Sequence, residues 1–515
     1  MPPLPSSIGL QAPQPPHLRK NARSSQLIVN GEPFLLLGAE LHNSTLSNAS
    51  FFSSLLPKLK AMNVNTILGA VSWAMIEPIE GEFDFVELDR CIVAAREQGF
   101  HLVLLWFGAY KNAMSVYAPD WVQRDNTRFP RMQLRQAGGV LKTVNVLQPF
   151  CDAAKNADAR AFAALMRHVR EFDSAYSTVI MVQVENEVGL MGDSRDGSST
   201  ATQLYQNRVP DGTSFTKSKA KQGHSRGRKR LVLGHYSWQD FGYIPPEVPL
   251  GDRPGEYPSG GPVGHNLDVY VYNAPDIQIY GPDIYLQKYE MVSECFRYGN
   301  MPLFVPEQRR DEYGARRIWP AYGTQLAIGC SPFGVDSLMP WETCPFTLHY
   351  KLLHDVRKYI LEAQATSPDN IFGFYYDEEE HPLEKPWVKS FGDYEATVER
   401  VFSFGKKGQA AGMLIREPDG KFLAVGFGYQ VVFQITNPSS VFTGVLCVEE
   451  MEAQEDGTLR RGRVFNGDET QHGKCLVMPP QEPDYGGFPI PFHIPARTMM
   501  ARCTVFNLVE AEEST

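Results

Sequence analysis

Residues 179–189 read VIMVQVENEVG, and this stretch decides the fold. An apolar run of strand-forming residues stops abruptly at Glu185, Asn186 and Glu187. Charges inside a strand are costly to bury unless they are paired, so a strand that ends this way opens onto a cleft. In a parallel α/β barrel the carboxyl ends of the strands form the active-site face. Strict alternation puts Glu185 and Glu187 on one side and Asn186 on the other. A turn beginning at Asn186 breaks that parity and lets Asn186 and Glu187 both face the cleft.

Working outward, comparable apolar runs occupy residues 33–39, 65–72, 101–107, 277–280, 302–305 and 325–329. They are rich in Val, Ile and Leu and alternate weakly, as parallel strands covered on both faces do. Amphipathic helical stretches separate several of them, at residues 51–62, 85–98 (closed by Gly99 as a C′ glycine) and 159–172. Residues 345–365 read as a last barrel helix. Strand–helix repeats of this kind predict an α/β fold, here a (β/α)8 TIM barrel over residues 26–365. A doubly wound sheet would carry a G-x-G-x-x-G turn after its first strand, and residues 39–44 (AELHNS) are not one. After residue 366 short β-type runs take over, at 372–376, 411–415, 422–425, 430–435 and 441–448, with a Pro-Asp-Gly-Lys turn at 418–421. This predicts a β-sandwich domain over residues 366–515. Residues 1–25, rich in Pro, Ser and Gln, read as a disordered tail.

A second strand ends in a carboxylate at residues 301–311, MPLFVPEQRRD. Arg309 and Arg310 follow Glu307, and a neighbouring guanidinium keeps a carboxylate ionised, which suits a nucleophile. Two glutamates at two strand ends of one barrel make the carboxylate pair of glycoside hydrolysis. Residues 73–85, WAMIEPIEGEFDF, add Trp73, which would either stack on a sugar face or pack in the core.

Composition excludes several classes. The net charge of −10 gives no global attraction to nucleic acid or anionic membrane. Residues 217–230 (KSKAKQGHSRGRKR) are basic, and read as a solvated loop rather than a polyanion site. No stretch approaches the ~20 apolar residues of a membrane helix. The eight cysteines form no C-x-x-C pair, and Cys91, Cys330 and Cys447 sit in apolar runs as buried thiols. No metal and no cofactor are expected. No secretory signal is legible at the N-terminus, so a cytoplasmic location is expected.

The set W-x-x-x-E-P-x-x-G-x-F-D-F, V-Q-V-E-N-E-V-G and P-L-F-V-P-E resembles the β-galactosidases of glycoside hydrolase families 35 and 42. Within them it is most similar to a subgroup with a family-42-like barrel and an uncharacterised C-terminal β domain. The resemblance spans about residues 26–450. It implies Glu187 as acid/base, Glu307 as nucleophile and Asn186 as the partner of the sugar 2-hydroxyl. It implies that residues 106–112 (WFGAYKN), with Trp106 and Asn112, line the sugar site, and that Tyr285 steadies the nucleophile. Glu77, Phe333 and Trp341 complete the implied pocket. A carbohydrate substrate follows, and a homo-oligomer is left open.

The chain also departs from that family. Relatives carry a helix and a fifth strand between a Trp-x-x-x-Phe-Gly segment and a Pro-Ser-Gly-Gly-Pro loop. Here residues 238–242 (WQDFG) run almost directly into residues 257–262 (YPSGGP). Strand five is therefore expected to be missing or altered, with residues 230–235 as a substitute. A mis-spliced gene or an open barrel would each produce this. The expected function is a retaining β-galactosidase, with carboxyls about 5–5.5 Å apart. The competing readings are a catalytically impaired carbohydrate-binding barrel and a β-glycosidase for a glucoside, xyloside or arabinopyranoside.

Overall fold

The computed structural model describes residues 14–207, 231–236, 255–257, 260–264, 266–285, 288–338, 340, 343–376, 385–401, 408–465, 467–480 and 497–510. Eight parallel strands close a barrel: β1 (Leu36–Glu40), β2 (Thr66–Ser72), β3 (His101–Lys111), β4 (Val179–Asn186), β5 (Leu231–Tyr236), β6 (Ile279–Ile284), β7 (Phe304–Gln308) and β8 (Gly329–Pro332). Their inner faces fill the barrel with Leu36, Leu68, Val103, Leu105, Ile180, Ile279 and Phe304. The helices around them bury a second apolar layer against the outer faces.

Local chemistry explains the helix ends. Asn48 caps the helix Ala49–Ala61 by accepting from the Phe51 N–H at 2.8 Å. The helix Val86–Glu97 stops ahead of Gly99, whose φ of +74° is the left-handed geometry that a C′ glycine supplies.

The expectation of a missing fifth strand is corrected, and the strand stands where residues 230–235 were expected to substitute for it. β5 pairs in parallel with β4, Leu231 opposite Met181, and with β6, Leu233 opposite Ile279. The strand lies ahead of residues 238–242 rather than behind them, so a search keyed to that motif looks on the wrong side. Its pairing satisfies backbone groups on β4 and β6 that an open edge would leave bare. The basic stretch 217–230 and residues 238–242 lie outside the described residues.

The expected tail is corrected in part. Residues 1–13 lie outside the described residues, but His17–Lys20, Ser25–Val29 and Glu32–Pro33 form a small antiparallel sheet. Leu27 and Val29 of this sheet join the barrel's inner core. Gln26 Nε2 donates to the Leu361 carbonyl at 2.8 Å and ties the sheet to the last barrel helix. Within the tail itself the strand His17–Lys20 offers one apolar side chain, the half-buried Leu18, too weak a signal to stand out in a Pro-rich segment.

The last barrel helices, Phe346–Asp355 and Arg357–Thr366, lead into β9 (Ile371–Tyr376). From there the chain builds two facing antiparallel sheets. One has six strands, from β9 through β12 (Ala410–Arg416), β13 (Lys421–Phe427), β18 (Met500–Val509) and β15 (Ser440–Ala453) to β16 (Leu459–Phe465). The other has four: β10 (Trp387–Phe391), β11 (Tyr394–Arg400), β14 (Tyr429–Ile435) and β17 (Leu476–Met478). Phe374, Phe391, Phe422 and Phe433 fill the space between them. Asp419 and Gly420, with φ of 59° and 68°, make the turn between β12 and β13. Among the described residues every cysteine is a free thiol; Cys91 and Cys330 are buried and Cys447 is half-buried.

Barrel and sandwich meet at a tight backbone contact. The helix Glu312–Tyr322 lies across β9, and a Cβ on Gly373 would fall 1.9 Å from the Trp319 carbonyl oxygen. Trp319 is fully buried, and its Nε1 donates to His349 Nδ1 at 2.7 Å. Gly373→Ala must push helix and strand apart, at a cost of about 2 kcal/mol or more. Urea unfolding should show that loss, and an unchanged midpoint would contradict the contact.

Candidate active site

Strand register brings the polar strand ends together at the carboxyl mouth of the barrel. Asp283 of β6 sits opposite Glu307 of β7, Lys111 of β3 opposite Asn186 of β4, and Glu40 of β1 bridges to Phe333 just after β8. All six polar groups are buried: Glu40, Lys111, Asn186, Glu187, Asp283 and Glu307.

The electrostatics are those of one cation among four carboxyls. Burial works against the Lys111 charge, but Glu307, Glu187, Glu40 and Asp283 hold its ammonium above the usual value. Burial, then the charge of Glu307, pushes the Glu40 carboxyl well above the usual carboxylate range, and Asp283 rises for the same two reasons. Both are thereby driven toward the neutral acid, which can donate as well as accept a hydrogen bond. Lys111 Nζ donates to Asn186 Oδ1, and the Tyr285 hydroxyl donates to Glu307 Oε1. Burial and Glu307 raise the Tyr285 phenol far up, so it stays a donor. Both carboxyl oxygens of Glu40, and Glu307 Oε2, are buried without a hydrogen-bond partner among the described residues. Buried polar atoms of this kind call for a partner from outside the chain.

The backbone at the end of β4 is unusual. Glu185 and Glu187 both have positive φ, 59° and 47°. Such conformations cost about 1–3 kcal/mol each in a non-glycine residue and cluster at functional sites. They break the alternation of the strand. Asn186 faces Lys111, whereas Glu185 turns away, accepting from the Ala109 and Tyr110 N–H groups at 3.0 and 2.8 Å. The side-by-side placement of Glu185 and Glu187 that strict alternation predicts is therefore corrected.

Other site candidates land in different places. Tyr285 touches Glu307, and Phe333 lines a cavity of about 370 Å³ together with Tyr285 and His42. Trp73 is fully buried, its Nε1 donating to Glu77 Oε2 at 2.8 Å and its ring edge-on to Trp121. It packs in the core and offers no face to a sugar. Glu77, also fully buried, pairs with Arg160 at 2.9 Å. Trp106 points to the outer side of β3, donating to Asp158 Oδ1 at 2.9 Å. Asn112 is exposed at a left-handed turn with φ of 52°, and its neighbour Lys111 enters the site instead. Trp341 lies outside the described residues. Arg309 pairs with Asp311 at 2.6 Å and Arg310 donates to the Gly334 carbonyl, so Lys111, not this pair, is the cation facing Glu307.

Sequence reasoning missed Glu40 and gave Lys111 and Asp283 no role of their own. Glu40 had a signal: it ends the apolar run of β1 just as Glu187 and Glu307 end theirs. Lys111 stands in the segment 106–112 and Asp283 two residues before Tyr285, and only the register separates them from their neighbours. No metal-binding cluster of His, Cys, Asp or Glu occurs among the described residues, and none of the described helices is long and apolar enough to cross a membrane.

Residues 26–239 match the family described as glycosyl hydrolases family 35, and residues 346–476 match a domain of unknown function, DUF5597. Beta-galactosidase A of Aspergillus oryzae is 28% identical over 166 residues, covering 31% of this chain and 15% of its own length. Beta-galactosidase of Xanthomonas manihotis is 27% identical over 176 residues, 33% of this chain and 26% of its own. The human beta-galactosidase-1-like protein 3 is 30% identical over 166 residues, 31% of this chain and 23% of its own. The matched stretch thus spans about a quarter or less of these relatives.

Behind the site, Glu185 and Asp158 form a half-buried carboxyl pair. Asp158 Oδ2 accepts from the same Ala109 N–H, at 3.1 Å, that Glu185 Oε1 accepts at 3.0 Å. Burial, then the Asp158 charge and its hydrogen bond, raises the Glu185 carboxyl well above the usual range. The folded state therefore holds a proton that the unfolded chain releases near pH 4, and stability falls as pH rises from there toward the raised value. Glu185→Gln carries an amide in place of that proton. Melting temperature followed against pH should fall less steeply in the variant, and an identical slope would contradict the pair.

Proposed function

We propose that the chain is a retaining glycoside hydrolase that removes terminal β-D-galactosyl groups by double displacement. The observation that carries the reading is the pair of buried glutamates, Glu187 on β4 and Glu307 on β7, facing one shared ammonium, Lys111. The matched family and the names of the relatives support galactose as the sugar. Pairing of β5 on both edges favours the enzyme over an impaired, open barrel.

In the first step Glu307 attacks the anomeric carbon. The bond to the leaving oxygen breaks, and Glu187 gives that oxygen its proton. The Tyr285 hydroxyl on Glu307 Oε1 fixes the nucleophile's orientation, so that Oε2 is the attacking atom. Bond formation neutralises the Glu307 charge. In the second step Glu187 takes a proton from water as the water attacks the same carbon, and Glu307 leaves as carboxylate. Asn186, gripped by Lys111 through its amide oxygen, meets the sugar 2-hydroxyl. Glu40 meets further hydroxyls with its two oxygens, which have no hydrogen-bond partner among the described residues. Lys111 holds four carboxyls in one small space, a task that otherwise falls to water, which the bound sugar displaces.

The roles separate by leaving group. Glu307→Ala should lower kcat by about 10⁴-fold or more on every β-galactoside, because no nucleophile remains. Glu187→Ala should keep most of its glycosylation rate on 4-nitrophenyl β-galactoside, whose leaving group needs no proton, and lose about 10²–10⁴-fold on alkyl galactosides. Equal losses on both substrates would contradict the assignment.

A further inference from the structure

The cavity beside Glu307 carries a positive charge that the proposed reaction leaves idle. Its volume is about 370 Å³, and Tyr285, whose hydroxyl holds Glu307, forms part of its wall. His42, Arg309, Arg310, Phe333 and Gly334 line much of the rest.

Most polar groups around this space are already engaged. Asp311 accepts from Arg309 Nη2 at 2.6 Å and from the Gly314 N–H at 3.0 Å. Gln308 accepts from the Tyr289 hydroxyl at 2.9 Å and donates to the Gly314 carbonyl at 3.2 Å. Asp336, behind His42, accepts from the His42 N–H at 3.1 Å, from His42 Nδ1 at 2.6 Å and from the Thr45 hydroxyl at 2.6 Å. Arg310 is different. Its Nη1 donates to the Gly334 carbonyl and, at 2.7 Å, to Ser337 Oγ, and both acceptors are neutral. No carboxylate among the described residues forms an ion pair with it, whereas its neighbour Arg309 is paired.

His42 and Arg310 converge on one spot. Gly334 has a φ of +67°, and a Cβ there would stand 3.2 Å from His42 Nε2 and 3.3 Å from Arg310 Nη1. The absence of a side chain at Gly334 keeps that spot open. Asp336 grips the other ring nitrogen, so Nε2 is the edge turned to the cavity, and an imidazolium donates from it. Donors with no spare acceptor suit a group that only accepts. A guanidinium without a carboxylate suits one that is charged.

We propose that this cavity holds an anionic substituent, a sulfate ester or a carboxylate, on the sugar that the enzyme transfers. The inference rests on the reading of Glu307 as nucleophile. Glu307 bonds the anomeric carbon from the face opposite the leaving oxygen. A cavity walled by the tyrosine that holds Glu307 therefore belongs to the transferred sugar and not to the leaving group. A plain hydroxyl would fill one hydrogen bond and leave the guanidinium charge unmatched. A sulfate or carboxylate offers separate oxygens to His42 and Arg310 and matches that charge. The substrate class is then acidic galactosides, and a neutral galactoside is the same ring without this contact.

The test is calorimetry on the full chain with galactose, galactose 3-sulfate, galactose 6-sulfate, galacturonic acid and inorganic sulfate as probes. At least one acidic sugar should bind about tenfold or more tighter than galactose, the effect of one hydrogen-bonded charge. Which one does so identifies the anion and its place on the ring. Arg310→Gln should remove the advantage and leave galactose binding unchanged, with the melting temperature as the check on folding. His42→Gln, at a side chain 45% exposed, should reduce the advantage and carries the same comparison if Arg310→Gln melts early. No acidic sugar binding more tightly than galactose overturns the proposal. So does an advantage that survives both substitutions, or inorganic sulfate that binds as tightly as the sugar sulfates, which would make this an ion site only. Hydrolysis of 4-nitrophenyl β-galactoside separates the two readings. Activity with no preference for acidic sugars keeps the enzyme and sinks the anion site, and a preference governed by Arg310 without activity does the reverse.

Discussion

One ammonium holds the mouth of this barrel together. Lys111 is buried on β3 among the carboxyls of Glu40, Glu187, Asp283 and Glu307, which come from four other strands. Four ionised carboxyls with a single cation would leave uncompensated charge in a water-poor space, which is costly. The molecule answers by pushing Glu40 and Asp283 toward their neutral forms. That answer has a chemical result. Neutral acids and an ammonium line the barrel mouth with hydrogen-bond donors and acceptors, and the Tyr285 hydroxyl fixes one oxygen of Glu307, the proposed nucleophile.

The same constraint runs backward into the fold. Lys111 reaches Asn186 only because β3 extends to residue 111 and its register against β4 shifts between Trp106 and Lys111. The Glu185–Asp158 pair grips the β3 backbone at Ala109 and Tyr110, just ahead of Lys111. Positive φ at Glu185 and Glu187 turns one carboxyl outward to that grip and lets Asn186 meet Lys111 inside. Strain at the end of β4 is therefore balanced by contacts on both of its faces. The sandwich domain abuts the barrel on another side, through the helix Glu312–Tyr322 that follows the nucleophile strand.

Much of this is legible in the chain. Apolar runs ending in carboxylates mark β4 and β7 directly, because a charge at the end of a buried strand is costly unless the strand opens onto a polar site. The change of texture after residue 366 marks the sandwich. Four features are not legible. Alternation along β4 assumes extended dihedrals, and two left-handed glutamates defeat it. The choice between Lys111 and Asn112 is a one-residue question of register, which composition does not settle. Trp73 is ambiguous between stacking and packing until its hydrogen bond to Glu77 resolves it into the core. Strand β5 is legible only as a substitute at residues 230–235, because the family motif places the strand on the other side of residues 238–242.

The central claim is that Glu307 becomes covalently bonded to the sugar. Incubation with a 2-deoxy-2-fluoro-β-galactosyl fluoride slows the second step and lets that intermediate accumulate. Intact mass followed by peptide mapping should show one fluorogalactosyl group on the peptide that carries Glu307. A folded protein that hydrolyses galactosides yet carries the label on Glu187, on Glu40 or on no residue would contradict the account.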